Sequence, residues 1–144
     1  MREILFRGKR KDTGEWVDGF VVNTQCYLRD SLLTIIVTTD SNLYPRGEIS
    51  CCVEVDPETV GQYTGLKDCN GKRIFEGDIV SMSKYTHCTE DSYKIGVVEW
   101  RGSGWEVLDV PLADYAFIGL KTMSTVLLVI GNKWDNPELL KECE

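Results

Sequence analysis

Metal-ligand spacing is what this sequence most conspicuously lacks. It has one histidine, His87, and six cysteines at 26, 51, 52, 69, 88 and 143. No two cysteines form a C-x-x-C pair. Cys51 and Cys52 are direct neighbours, and in an extended strand such neighbours point to opposite faces. A zinc site needs about four convergent ligands at recognisable spacings. The cysteines therefore read as free thiols of a reducing compartment, and no cofactor or metal is expected. Long apolar runs are also missing, so no segment reaches the ~20 residues of a membrane-spanning helix. The first ten residues turn polar after three apolar ones and carry no small-residue cleavage site, unlike a secretory signal. Together these absences predict a cytoplasmic protein with no membrane partner.

Basic charge is scarce. Sixteen Lys and Arg against 23 Asp and Glu leave a formal charge of -7 over 144 residues. Nucleic-acid binding draws on cations that neutralise phosphates, so the balance disfavours a nucleic-acid partner. One dense basic cluster exists: Arg7, Lys9, Arg10 and Lys11, with Trp16 as a nearby aromatic. These five residues are the candidate nucleic-acid site. The competing reading is a solvated hairpin edge whose charges discourage edge-to-edge pairing. For nucleophilic catalysis, the remaining candidates are His87 with Cys88 or with another cysteine, and adjacent residues rarely face each other. Glu76 and Asp78 could converge on a metal across Gly77, but they read as turn formers that accept backbone N–H groups. Asp68 and Asn70 do not continue into a calcium-loop pattern.

What is present is strand chemistry. Residues 3–7 and the run Trp16–Val22 predict a hairpin around Lys11–Glu15, with Gly19 bending the second strand or marking a bulge. Residues 26–30 make a weaker strand. Leu33–Thr39 is a clear β-branched strand. Its Leu33, Ile35 and Val37 share one face, and Thr34, Ile36 and Thr38 share the other, which is only partly polar. Ile49–Val55 predicts a further strand. Asp56-Pro57-Glu58 then carries the cap, proline and acid of a helix start, enough for one helical turn joining two lobes.

Next comes the densest turn chemistry in the chain, residues 62–80, with Asn70-Gly71 and Gly77-Asp78. Residues 84–93 read as an exposed loop. Ile95–Trp100 and Trp105–Leu108 predict a second hairpin about residues 101–104, with Trp100 and Trp105 packing across it. Residues 111–123 read as a short helix or an irregular segment. Thr125–Ile130, apolar on both faces, predicts a strand buried on both sides. Asn136-Pro137-Glu138 then starts a short C-terminal helix. The fold expected is mostly β: an N-terminal β lobe over 1–60 and a small β-barrel with its C-terminal helix over 61–144, or the two as one compact unit.

At this point the residues resemble a known family. Thr64-Gly65-Leu66-Lys67-Asp68-x-Asn70-Gly71-Lys72-x-Ile74-x-Glu76-Gly77-Asp78-Ile79-Val80 is similar to the signature of the YopX family of bacteriophage and prophage proteins. Further agreement comes from Ile4-x-Phe6-Arg7-Gly8, Trp16-Val17-x-Gly19, Gly61-Gln62-Tyr63, Val97-Val98-Glu99-Trp100, and a C-terminal run from Val129 to Leu140. The similarity covers nearly the whole chain in order. The departures are Cys69 and Arg73 within the signature, Trp134-Asp135, and the 84–93 loop. The resemblance implies a mostly β protein with a barrel-like C-terminal part, of phage or prophage origin. The family has no known molecular function, so no catalytic or binding residue carries over.

Three functions are therefore weighed. A non-enzymatic interaction module in the bacterial host cytoplasm suits the acidic surface and the loops at 84–93 and 101–104. Its partner would be a host or phage protein, or a second copy of the chain. A nucleic-acid-binding small barrel would use the basic cluster. A metal-dependent enzyme would need the paired carboxylates. The first is the expectation, and the protein is not expected to be an enzyme.

Overall fold

The computed structural model describes residues 3–26, 31–38, 51–83, 94–102, 104–107, 110–111 and 126–143. The 84–93 loop, with His87 and Cys88, and the 112–123 segment lie outside the described residues. Twelve strands are present among those described, and every strand pairing given in register is antiparallel. The chain divides into two compact units, Met1–Tyr63 and Thr64–Glu144.

In the first unit, β1 (Phe6–Lys9), β2 (Trp16–Cys26), β3 (Ser31–Thr38) and β4 (Cys51–Glu54) pair in sequence order. The start of β5 (Gly61–Lys67) adds to the far side of β1. The register sorts the faces. Val17, Ile36, Val53 and Val55 form the buried cluster, with Val60 against it. Gly8 lies on that same face because a side chain there would press on Ile36 and Val55. Gly19 has a stricter reason: a Cβ would stand 2.2 Å from the Val37 carbonyl oxygen. Backbone approach from β3 explains this glycine. After β4, Val55 bridges back to Arg10, and Asp56 N–H donates to the Lys9 carbonyl. Asp56 then caps a 3₁₀ turn, Pro57–Thr59, accepting from Glu58 N–H at 3.1 Å.

In the second unit, the rest of β5 neighbours β6 (Arg73–Phe75). A central β7 (Asp78–Ser83) lies between β8 (Lys94–Val97) and β12 (Val126–Asn132). A third sheet holds β9 (Glu99–Arg101), β10 (Gly104–Val107) and β11 (Val110–Pro111). Ile74, Val80, Val98, Trp105, Val107, Leu127 and Val129 make the core. The turn at 68–72 lies along the outer edge of β12, where Cys69 N–H donates to the Leu127 carbonyl at 3.0 Å.

Three expectations are corrected here. Among the described residues no sheet closes into a barrel. The run at 95–100 is not one strand but two. Val98 interrupts it, donating to the Asp78 carbonyl and accepting from Gly77 N–H, so β8 pairs with β7 while β9 pairs with β10. The expected C-terminal helix is instead a 3₁₀ stretch, Pro137–Cys143. Leu139 N–H reaches the Asn136 carbonyl three residues back. Seven residues offer too few α-type hydrogen bonds to offset the cost of nucleation.

Candidate interaction surface

The five residues of the basic cluster sit on β1, the following turn and the start of β2. Alternation separates them. Arg7 is buried and lays its guanidinium over the Trp16 ring, 4.8 Å from the centroid. Lys9 faces Trp16 in register and is half-buried, its backbone N–H donating to Thr59 Oγ1 at 2.9 Å. Arg10 forms a bidentate pair with Asp12: Nε to Oδ1 at 2.9 Å and a second nitrogen to Oδ2 at 2.7 Å. This guanidinium holds the exposed Asp12 carboxyl down at about 2. Lys11 Nζ pairs with Glu54 Oε1 at 2.9 Å. The structure thus brings Arg7 and Trp16 together but matches Arg10 and Lys11 with acids. A groove of about 240 Å³ between the turn and β4 is lined by Arg10, Lys11, Asp12, Cys52, Val53 and Glu54. Lys11 and Glu54 pair across it, and Arg10 and Asp12 pair along the side of the turn.

Two carboxylates of the second unit are committed to backbone donors. Asp68, buried, accepts from Asn70 N–H and Lys72 N–H on Oδ1, both at 2.9 Å, and from Val129 N–H on Oδ2 at 3.2 Å. One side chain therefore closes its own turn and stands in for a strand against β12. Asp78, fully buried, accepts from Phe75 N–H at 2.8 Å. Among the described residues no group of three or more His, Cys, Asp and Glu side chains is placed to hold a metal.

The glycines and asparagines of the second unit serve the same framework. Gly77 has a φ of +79°, and the Trp134 ring lies against it. Lys133 N–H donates to the Gly77 carbonyl at 2.9 Å, and Lys133 Nζ sits 4.8 Å over the Trp134 ring. Asn132 Oδ1 accepts from Trp134 and Asp135 N–H, and the Asn136 side chain fills the space beside Gly131. Trp100 and Trp105 meet edge to face across the β9–β10 pair, centroids 4.9 Å apart.

A surface that the sequence reading left unmarked lies on the outer face of the first unit. Residues 20, 22 and 24 of β2 and 33, 35 and 37 of β3 point away from the Val17–Ile36 core. They pair as Phe20 with Val37, Val22 with Ile35 and Thr24 with Leu33. Phe20 is 56% exposed and Val22 42% exposed, and Leu33, Ile35 and Val37 are half-buried. The signal was available: Leu33, Ile35 and Val37 form the more apolar face of β3. The core was built instead on the mixed face, through Ile36 and Thr38.

No curated protein matches the chain. The crystal structure of protein EF1440 from Enterococcus faecalis resembles it with a TM-score of 0.56 at 23% identity, over 97% of this chain and 99% of that one, a likeness of fold. No helix among the described residues is long and apolar enough to cross a membrane. The family model described as YopX protein matches residues 5–141, and the signature at 64–80 and the C-terminal run lie within that span: the chain belongs to the YopX family.

Proposed function

We propose that the protein is a non-enzymatic protein-interaction module of phage or prophage origin, acting in the cytoplasm of the bacterial host. The observation that carries this reading is the apolar row on the outer face of β2 and β3, where Phe20 and Val22 remain exposed beside Ile35 and Val37. Single exposed apolar residues need no explanation, but a contiguous row marks an interaction site. The paired state of Arg10 and Lys11, and the burial of Arg7, remove the basic stripe on which nucleic-acid binding would rest. The backbone commitments of Asp68 and Asp78 take the same support from a metal-dependent enzyme.

The test is capture from host lysate with the wild-type chain and with Phe20→Glu. A partner retained by the first and lost by the second supports the reading. Equal retention, or none with the wild type, overturns it.

A further inference from the structure

We infer that residues 20–26 of β2 form an open edge through which two copies of this chain pair as antiparallel strands, about a two-fold axis at Asn23. The inference goes beyond the outer-face reading, because it uses main-chain groups and not the side chains of the apolar row.

The register defines the edge. β1 accompanies β2 only as far as the pair Phe6–Gly19. Before Phe6 the chain turns to the other side, and the Leu5 carbonyl accepts from Tyr63 N–H at 2.8 Å. β2 runs on to Cys26 with β3 along one side. Among the described residues no strand pairs with the other side of residues 20–26.

Alternation fixes which groups face outward. Val55 N–H donates to the Thr34 carbonyl, so Thr34 is directed at β4. Leu33, Ile35 and Val37 are then directed at β2, opposite Thr24, Val22 and Phe20. Lys9 agrees from the other strand. Its N–H donates to Thr59 and its carbonyl accepts from Asp56, both away from β2. That leaves Val17 and Gly19 directed at β1. Both lines place the N–H and C=O groups of Val21, Asn23 and Gln25 on the open edge.

This edge carries none of the usual protection. Native sheets guard their edges with charges, proline, bulges or short strands. Residues 20–26 contain no charge, no proline and no glycine. They pair residue for residue with β3, without a bulge. The β4 edge is treated otherwise: that strand is four residues long, ends in Glu54, and has Lys11 N–H donating to the Glu54 carbonyl.

These features select a second copy. Unpaired main-chain groups call for extended backbone. A second copy brings a strand already held straight by β3, whereas a loose peptide would have to be ordered on binding. The segment also matches itself. Its midpoint, Asn23, is directed outward, so full antiparallel overlap sets Asn23 against its own copy and Val21 against the partner's Gln25. Three residues with two groups each then close six main-chain hydrogen bonds, and no position meets a like charge. The strip is only ~23 Å long. It falls short of the ~800 Å² per partner of a stable complex, so the dissociation constant is on the order of 10–100 μM.

Sedimentation of the full chain tests this at physiological ionic strength, where repulsion between two chains of charge -7 is screened beyond ~8 Å. Monomer should pass to dimer as concentration rises. Residue-resolved amide exchange supplies the signature: Val21, Asn23 and Gln25 N–H should slow only at high concentration, while Phe20, Val22 and Thr24 N–H, bonded to β3, stay slow throughout. Asn23→Pro removes an outward N–H used twice at the two-fold and should weaken the dimer roughly tenfold or more. Asn23→Lys and Asn23→Asp set like charges opposite each other and should each weaken it about threefold, while an equal mixture of the two regains the lost affinity. Asn23 is exposed, and its Oδ1 accepts from Thr34 Oγ1 at 2.9 Å, an acceptor that aspartate keeps. Thermal melts verify folding, and the charge variants carry the test without the proline one.

A monomer up to about 1 mM overturns the inference. So does a dimer that these substitutions leave unchanged, a mixture no tighter than either charge variant alone, or concentration-dependent slowing outside the alternating set. None of these outcomes touches the outer-face reading, which the lysate capture decides.

Discussion

Replacing Gly77 with alanine imposes two separate penalties, and the structure allows them to be measured apart. The residue has a φ of +79°, and a Cβ there would stand 2.3 Å from two ring carbons of Trp134. An L-residue forced into the left-handed region costs about 1–2 kcal/mol. Overpacking against an aromatic ring that is itself held in place costs about 1–3 kcal/mol more. Trp134 has little room to yield, since Lys133 N–H is tied to the Gly77 carbonyl and Trp134 N–H to Asn132 Oδ1.

Gly71 provides the control. Its φ is +81°, yet a Cβ there meets nothing within 4 Å. Gly71→Ala should therefore cost only the backbone term, about 1–2 kcal/mol, and Gly77→Ala about 2–5 kcal/mol. Urea denaturation followed by circular dichroism gives both values, provided the slope with denaturant is unchanged. In a Trp134→Ala background, the cost of Gly77→Ala should fall to that of Gly71→Ala. The double-mutant cycle then reports about 1–3 kcal/mol of coupling. If the two glycine variants are equally destabilised, or the excess survives removal of the Trp134 ring, the packing argument is wrong.

Other outcomes follow from the same geometry. Asp68→Ala removes the acceptor of three backbone N–H groups, one of them on β12, and should cost about 2–4 kcal/mol in the same urea assay. Lys11→Met breaks an exposed pair with Glu54, so its loss should stay below about 1 kcal/mol and shrink further in high salt. Asp12, held at about 2 by Arg10, has a folded value below its ordinary one. Its contribution is present above pH ~4 and is lost as pH falls through about 2. Asp12→Asn should lower stability slightly at neutral pH, with the difference from the wild type shrinking as pH falls through that window, as read by urea midpoints at stepped pH.

How legible these features were depended on how local their causes are. The helical turn at Asp56-Pro57 and the turn at Asn70-Gly71 follow from chemistry within a few residues, and both stand where the sequence reading put them. The pairing of Trp100 with Trp105 needed only a correct hairpin. Three features with distant causes were not legible. Gly19 suggested a bend or a bulge, while the Val37 carbonyl that excludes its side chain comes from another strand. The split at Val98 depends on hydrogen bonds to Gly77 and Asp78, some twenty residues earlier. The inside of β3 could not be chosen from hydropathy alone. Its apolar file is Leu33, Ile35 and Val37, yet Val17, Val53 and Val55 from other strands meet Ile36. In the basic cluster, the sequence displays four cations in five positions, while Glu54, which pairs with Lys11, lies 43 residues away.

The residues that identify the family and the residues offered for binding are different sets, and the physics explains why. Asp68, Gly77, Asp78, Gly131 and Asn136 each answer a backbone demand: an N–H to accept, a positive φ, or a close approach by a side chain. Such demands admit one or two residue types, so they leave a readable pattern. An apolar file on an open sheet face answers no such demand. Phe20, Val22, Ile35 and Val37 could be exchanged for other β-formers, polar ones included, without disturbing a single ladder hydrogen bond. Among the described residues no hydrogen bond requires them to be apolar. The exposed part of the row adds no burial free energy to folding, and the proposed partner would bury it. The same reasoning separates fold from function in a test: substitutions at Asp68 or Gly77 should shift stability, and substitutions at Phe20 or Val22 should shift binding while leaving the urea midpoint nearly in place.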